Sequence, residues 1–463
     1  MPEAASEVDI GMNQRSYKTF LLLMLAALLT FTNTDRQLLG LSMESIKADL
    51  ALSDTQLGLL TGFTFALFFT LLGIPLAQLA DRRDRVWLIA TTTLLGGVAI
   101  SLCGFAVTFT QLILIRIAVA IGEAGLLPAA NSLIPDYFTS AERPRAFAFF
   151  LMGGPISGVA GYLLGGWLVE TIGWRRSFVA FGLPAVVLGV LVCITLQEPR
   201  RRQFRHVEAI VRGANVSSES KGPSLVEVSK ALWLNKTFRY LTLANCAFTV
   251  VSFGMSQWIA VYFSRTYHLT TTAIGAALAI VCGGGGMVGM YAGGRFASRL
   301  TGASPKAQVQ IVAFSYLGTG VMNTLLVLVS GSATLGFVLF ALAGLVGASG
   351  SAPVFSIQLS IVPARMRAQS LAIQLFVVNL VGMGLGPTLA GTLSDLLVPR
   401  FGADALRWTF LSFFPGYLIA TWYAVRATRT VGADLARQSI KSEKDVGILG
   451  GSDGDSGGLA DIL

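Results

Sequence analysis

Asp35 and Arg36 adjoin each other after sixteen uncharged residues, inside an apolar run spanning 19–41. Arg116 and Glu123 are the only charged residues between positions 86 and 135. Their spacing of seven is nearly two turns of about 3.6 residues, so on one helix they share a face. A charge at bilayer depth costs about 2.5–3.5 kcal/mol on insertion scales, which calls for pairing or a wet cavity. Two acids and two bases compensate if their helices pack together. Apolar walls favour a neutral carboxyl, and a nearby guanidinium restores the carboxylate. An arginine drawn toward a substrate would therefore release or capture a proton. Two other readings stay open. The four can be permanent structural ion pairs, or Arg36 and Arg116 can grip an anionic substrate group, since guanidinium matches carboxylate and phosphate.

The elements that must position these residues are membrane helices. The 463 residues are 53% hydrophobic and 13% charged, where soluble domains carry roughly 25% charged residues. Residues 55–80, 146–169, 177–197, 240–264, 269–294 and 368–394 hold no Asp, Glu, Lys or Arg. Each is long enough to cross a membrane, for which about 20 apolar residues suffice. The charge-free run 307–364 would make a helix of about 87 Å. It must fold back, with Ser330-Gly331-Ser332 as the turn. Residues 86–135 form another hairpin, turning near 106–110. A first span at 19–41 and a last at 405–427 bring the total to twelve. The fold class expected is an all-α membrane protein with two six-helix bundles. The divisions are a segment 1–18, bundles 19–197 and 238–430, a linker 198–237, and a flexible, acidic tail 431–463.

Of 34 Lys and Arg residues, 26 fall on the side of the termini and the long linker, and six on the other. By the positive-inside bias, both termini are cytoplasmic, in a plasma membrane or bacterial inner membrane. Topology thus accounts for the net charge of +9 without a nucleic-acid partner. The polar opening segment resembles no cleavable leader, so the first helix is expected to stay as an anchor. The RRRQFR run at 200–205 is a solvated juxtamembrane segment, with anionic lipid as a second reading. Cys103, Cys193, Cys246 and Cys282 lie inside spans without metal-like spacing and are packing residues. No catalytic set, metal cluster or nucleotide fingerprint appears. Neither enzyme activity nor a cofactor is expected.

The halves repeat in order. Ala77-Gln-Leu-Ala-Asp81-Arg82-Arg-Asp-Arg85 follows the second helix, and Gly294-Arg-Phe-Ala-Ser298-Arg299 follows the eighth. Gly154-Pro155-Ile-Ser-Gly158 lies in the fifth, and Gly386-Pro387-Thr-Leu-Ala390 in the eleventh. Asp81, Arg82 and Arg85 make a cytoplasmic gate candidate, locking to neighbouring helix ends in one state and parting in another. For Arg83 a plain positive turn explains as much. Gly154, Pro155, Gly158, Gly386 and Pro387 would serve close packing and bending. Gly283–Gly286 lacks a Walker lysine and is read as a helix contact or bend. Asn33, Asn245, Ser252, Gln257, Gln358, Gln374 and Asn379 either line a cavity or bond between helices, and the phenylalanines at 63–69 face lipid or core.

The Ala77–Arg85 segment resembles the major facilitator signature G-x-L-a-D-r-x-G-r-(R/K), with Ala77 and Asp84 in place of its glycines. Gly154-Pro155 resembles the fifth-helix signature of antiporters. Thr34-Asp35-Arg36-Gln37 is similar to the Spinster group, together with Gly122-Glu123-Ala124-Gly125-Leu-Leu-Pro128-Ala and Ile134-Pro135-Asp136-Tyr-Phe138. That resemblance implies export of sphingolipid or lysophospholipid, with Asp35, Arg36, Arg116 and Glu123 as the charged centre of proton coupling and gating. The expected protein is a monomeric, proton-coupled transporter of a lipid-like amphipath working by alternating access. The alternatives are a symporter of a small organic or aromatic acid, a drug/proton antiporter, and a receptor or scaffold that does not transport. A lipid carrier should show a greasy cavity half. A small-acid carrier should show a closed polar pocket centred on Arg36 or Arg116.

Overall fold

The computed structural model describes residues 14–199, 225–284, 304–329, 331–363 and 366–450. The chain is helical along nearly all of this length. α1 is Gln14–Leu50, and α2 is Asp54–Thr61 with Phe63–Arg82. α3 is Arg85–Cys103, and α4 is Phe109–Ala124 with Leu126–Tyr137. Arg143–Leu151 and the run Gly153–Thr195 supply α5 and α6, which meet at Gly173. There φ is 80° and ψ is 160°, a backbone conformation that glycine adopts without a Cβ penalty. α7 is Lys236–Tyr267, and α8 begins with Thr271–Leu278 and continues in a π-helical turn, Ala279–Gly284. α9 is Pro305–Leu328 and α10 is Ala333–Ser360. α11 is Arg367–Val378, a π-turn Asn379–Met383 and Gly384–Phe401. α12 is Ala405–Ser412 with Phe414–Gly450.

Among the described residues, nine continuous helical runs are long and apolar enough to cross a membrane. The runs at 143–195 and 369–438 each turn back once, and α8 adds a shorter apolar piece, giving the twelve spans. Both expected hairpins form: α3 and α4 flank residues 104–108, and α9 and α10 flank 329–332. Polar caps set the helix starts. Ser53, Asp84, Thr108, Asn235, Thr270, Ser304 and Ser332 each accept a hydrogen bond from a backbone N–H in the first turn.

Packing places the closure between halves. One hydrophobic cluster joins both halves, running from Leu38 and Leu57 to Trp258 and Ala390. A second, around Leu21, Ile89, Leu133 and Phe150, belongs to the amino-terminal half alone. The clusters around Val312, Phe238 and Leu241 belong to the carboxy-terminal half. The halves thus share a core at the end remote from the termini, here the distal end.

Two features depart from the expected divisions. The linker contains a helix, Leu225–Leu234, whose Val228 and Leu232 bury against Phe238, Ile361 and Val362. The tail does not loosen at 431, because α12 continues to Gly450. Asp434 is buried and accepts from the Thr237 amide at 2.9 Å and hydroxyl at 2.7 Å, capping the start of α7. The Asp434–Ser442 stretch is rich in Ala, Leu, Arg, Gln and Lys, which favour helix. Residues 451–463, the 200–205 run, Gly285-Gly286 and the Gly294–Arg299 counterpart of the gate segment lie outside the described residues.

Candidate functional site

All four intramembrane charges converge. The Arg116 guanidinium on α4 is bound to Asp35 on α1, and both side chains are buried. Arg36 donates to Glu123 at 2.7 Å. Glu123 is buried, but a quarter of the Arg36 side chain remains exposed. The ring of Phe65, on α2, lies 4.7 Å from the Arg36 guanidinium carbon and 5.3 Å from that of Arg116. Phe69 stacks on Phe65 and also faces Arg36 at 5.4 Å. Cation–π attraction of this kind strengthens where water is excluded. Phe65 and Phe69 therefore have a role that a lipid-facing or core assignment missed.

The local fold brings Glu123 into place through a close approach of α3. A Cβ on Gly122 would stand 2.4 Å from Gly96 Cα, so only glycine lets the two backbones meet there. The pairs leave Asp35 Oδ1, Glu123 Oε1, Arg36 Nε and Arg116 Nε without hydrogen-bond partners among the described residues. Buried polar atoms in that condition mark places where water, a proton or a ligand group can enter.

In the gate segment, Arg85 is locked to neighbouring helix ends. Arg85 is buried and binds Glu198 and Asp136, with 2.7 Å to the latter, and donates to the Ser132 carbonyl at 2.7 Å. All three partners belong to its own half, so Arg85 fastens α3 to the ends of α4 and α6. Asp84 caps α3 by accepting from the Trp87 amide. Asp81 and Arg82 stand exposed at the end of α2.

The distal end carries a cross-half ion cluster that the sequence left among loop charges. Arg265 on α7 donates to Glu44 on α1 at 2.6 and 2.9 Å, and to Asp54 at the start of α2 at 2.7 and 2.8 Å. Asp54 is fully buried and accepts also from Lys47 at 2.5 Å and from Ser394 at 2.6 Å. Asp395 on α11 accepts from the amides of Asp54 and Thr55. Pairings across more than 200 residues leave no periodic signal, and each charge alone reads as a loop residue.

The Gly-Pro positions divide. A Cβ on Gly386 would meet the Val250 carbonyl at 2.3 Å, and the Pro387 carbonyl accepts from Trp258 Nε1 at 3.0 Å. These two pack α11 onto α7. A Cβ on Gly158 would lie 4.0 Å from Gly283 of α8 across the halves, and one on Gly154 would meet nothing within 4 Å among the described residues. Gly154 and Pro155 follow the break at Met152 that separates the two pieces of α5.

Among the described residues, the carboxy-terminal half lines two partly open cavities of about 390 and 240 Å³. They share Phe248, Ser252, Gly347 and Ser351, and none of the described residues lining either is charged.

Comparison with known proteins agrees with this architecture. The Major Facilitator Superfamily model matches residues 23–307. An MFS-type efflux pump of Mycolicibacterium smegmatis is 30% identical over 411 residues, covering 88% of this chain and 91% of that one. Protein spinster homolog 3 of Mus musculus is 26% identical, covering 81% of this chain and 74% of its own. The crystal structure of a bacterial homologue of the human lysosomal transporter Spinster, inward-facing and unoccupied, superposes with a TM-score of 0.76. It is 25% identical and covers 90% of this chain and 98% of that chain. The chain belongs to the major facilitator superfamily of membrane transporters, and its relatives there include the Spinster proteins.

Proposed function

We propose that the protein carries an amphipathic, lipid-like molecule across the membrane by alternating access, driven by protons, with both termini on the cytoplasmic side. One asymmetry supports this reading above all: paired charges occupy the amino-terminal half, and the described residues lining the cavities of the carboxy-terminal half are uncharged. A molecule with a charged head and an apolar body suits both. Arg36, the one partly exposed member of the cluster, is the group that meets the head. Drawing Arg36 away from Glu123 leaves a buried carboxylate without its cation, and a proton then replaces it. The distal ion cluster and the shared core keep that end shut while the cargo site faces the other way, as substrate sites between facilitator halves require. A small-acid carrier would fit a closed polar pocket centred on arginine. Here Arg116 is buried and bound to Asp35, and the described residues lining the two cavities of the carboxy-terminal half are uncharged. Drug/proton antiport remains the second reading, favoured by the similarity to an efflux pump.

The test is uptake into proteoliposomes of labelled lysophospholipid, sphingoid lipid, aromatic acid and a cationic drug, with and without a pH gradient. Gradient-dependent lipid movement that stops in Glu123→Gln or Asp35→Asn is expected. Movement of only the acid or only the drug overturns the lipid assignment. Lipid movement unaffected by gradient and by both substitutions overturns proton coupling.

A further inference from the structure

The two cavities are not lined as a slot for plain hydrocarbon would be. Phe248, Met255 and Phe340 supply apolar walls, but each cavity also borders a buried amide. Asn323 borders the larger one. Its Nδ2 donates to the Tyr417 hydroxyl at 2.9 Å, and its Oδ1 has no partner among the described residues. Gln374 borders the smaller one, and its Nε2 has no partner either. Both side chains are more than nine-tenths buried. Leaving a buried polar group unpaired costs more than a typical hydrogen bond contributes, so such groups are expected to be satisfied by something that occupies the cavity. Turning either amide end for end exchanges an unpaired acceptor for an unpaired donor, or the reverse, and leaves the conclusion intact. Neither amide has a charged neighbour among the described residues of the cavity lining. The complementary ligand group is therefore neutral and able to hydrogen-bond: a hydroxyl, an ester or an amide.

We propose that Asn323 and Gln374 select cargo whose apolar body carries a neutral hydrogen-bonding group, and discriminate against an unbroken alkyl chain. This rests on the amphipath reading and narrows it. Ser252, at the junction of the two cavities, lies 3.5 Å from the same Tyr417 hydroxyl that holds Asn323. The amide thus sits in a positioned network, and its selectivity does not depend on a loose side chain. A ligand hydroxyl or ester entering here replaces its lost water bonds, whereas a methylene strands both amides.

The experiment compares two probes with the same phosphocholine head and sixteen-carbon chain: palmitoyl lysophosphatidylcholine, with its glycerol ester and hydroxyl, and hexadecylphosphocholine, without them. Binding to the purified full chain in nanodiscs is measured for wild type, Asn323→Leu and Gln374→Leu. Wild type should prefer the lysophospholipid by about 3- to 10-fold, the value of one or two net hydrogen bonds. That preference should fall toward unity in each variant through weaker lysophospholipid binding. Equal binding of the two probes by wild type overturns the proposal and leaves the amphipath reading standing. A preference that survives both substitutions also overturns it. Failure of both probes to bind overturns the amphipath reading itself. If Asn323→Leu does not fold because Tyr417 loses its partner, Gln374→Leu decides, since Gln374 Nε2 has no protein partner to lose.

Discussion

Asp395 on α11 accepts hydrogen bonds from both the amide and the hydroxyl of Thr55, each at 2.7 Å, although the two residues are 340 positions apart. Its other oxygen accepts from the Asp54 amide at 3.0 Å. A carboxylate from one half thus caps the first turn of a helix in the other, where orphan N–H groups and the helix dipole favour negative charge. This bond can exist only when the distal end is shut. Ser53 already caps the same helix within its own half, so the helix survives opening and only the cross-half contact is lost.

Weakening this contact should favour the state open at the distal end. In Asp395→Asn the acceptor remains but the charge is lost, and a modest shift is expected. Arg265→Ala should do more, because it strips the fully buried Asp54 of its main cation. Breaking a buried pair costs about 3 kcal/mol at the lower end of the usual range, which is roughly a 100-fold change in the population ratio. Spin-label distances across the distal end of the reconstituted protein check this. Unchanged distances in Arg265→Ala would show that glycine packing alone holds the closure.

Glycine packing makes its own prediction. A Cβ on Gly275 would lie 2.3 Å from the Tyr162 carbonyl and 3.0 Å from Gly166 Cα, which joins α8 to α5 at the distal end. The obstruction is backbone, which cannot swing aside. Gly275→Leu should therefore fold and insert but be unable to close, with transport reduced at least about tenfold and labelling of a cysteine introduced at the distal end accelerated, since overpacking costs about 1–3 kcal/mol or more. Normal transport by this variant would place the hinge elsewhere.

Legibility in the sequence followed the physical rule behind each feature. The spans and the Asp35, Arg36, Arg116 and Glu123 set were readable because a charge in an apolar run violates composition, and the violation is local. The correct partners were not readable, since crossed pairing of Asp35 with Arg116 and Arg36 with Glu123 depends on helix rotation. Glu44, Asp54, Arg265 and Asp395 were invisible as a cluster for a complementary reason. Charges near helix ends are ordinary, and only the closed tertiary arrangement makes these unusual. Arg85 reads from the sequence as a gate candidate, and its partners Glu198 and Asp136 sit in its own half, a distinction that spacing along the chain does not encode.

Asp35 and Arg116 separate structure from transport through a double substitution. Arg116→Leu alone leaves Asp35 buried and uncompensated, and should lower stability by about 3–5 kcal/mol. Asp35→Asn combined with Arg116→Leu removes both charges and should recover most of that loss. Thermal unfolding in detergent measures the recovery. Recovered stability without recovered gradient-driven uptake would assign the pair to coupling. Recovery of both would make it an architectural pair.

Glu123 and Arg36 give the sharpest pH prediction. Glu123 is the buried partner of the one arginine that remains partly exposed, so releasing Arg36 to cargo is the step that leaves Glu123 in need of a proton. Glu123→Gln imitates the protonated side chain permanently. Its amide still accepts a hydrogen bond from Arg36, so the site keeps its shape while the titration disappears. Downhill exchange of cargo should persist within about tenfold of wild type, because conversion from one state to the other no longer waits for protonation. Accumulation against a gradient should vanish, and the exchange rate should become flat with pH where wild type changes. Arg36→Lys keeps the charge but loses the planar stacking on Phe65 and Phe69, and should weaken cargo binding while leaving the pH dependence in place. Measuring exchange and accumulation in parallel across pH therefore distinguishes the proton carrier from the cargo ligand. A Glu123→Gln protein that still accumulates cargo moves the proton to Asp35.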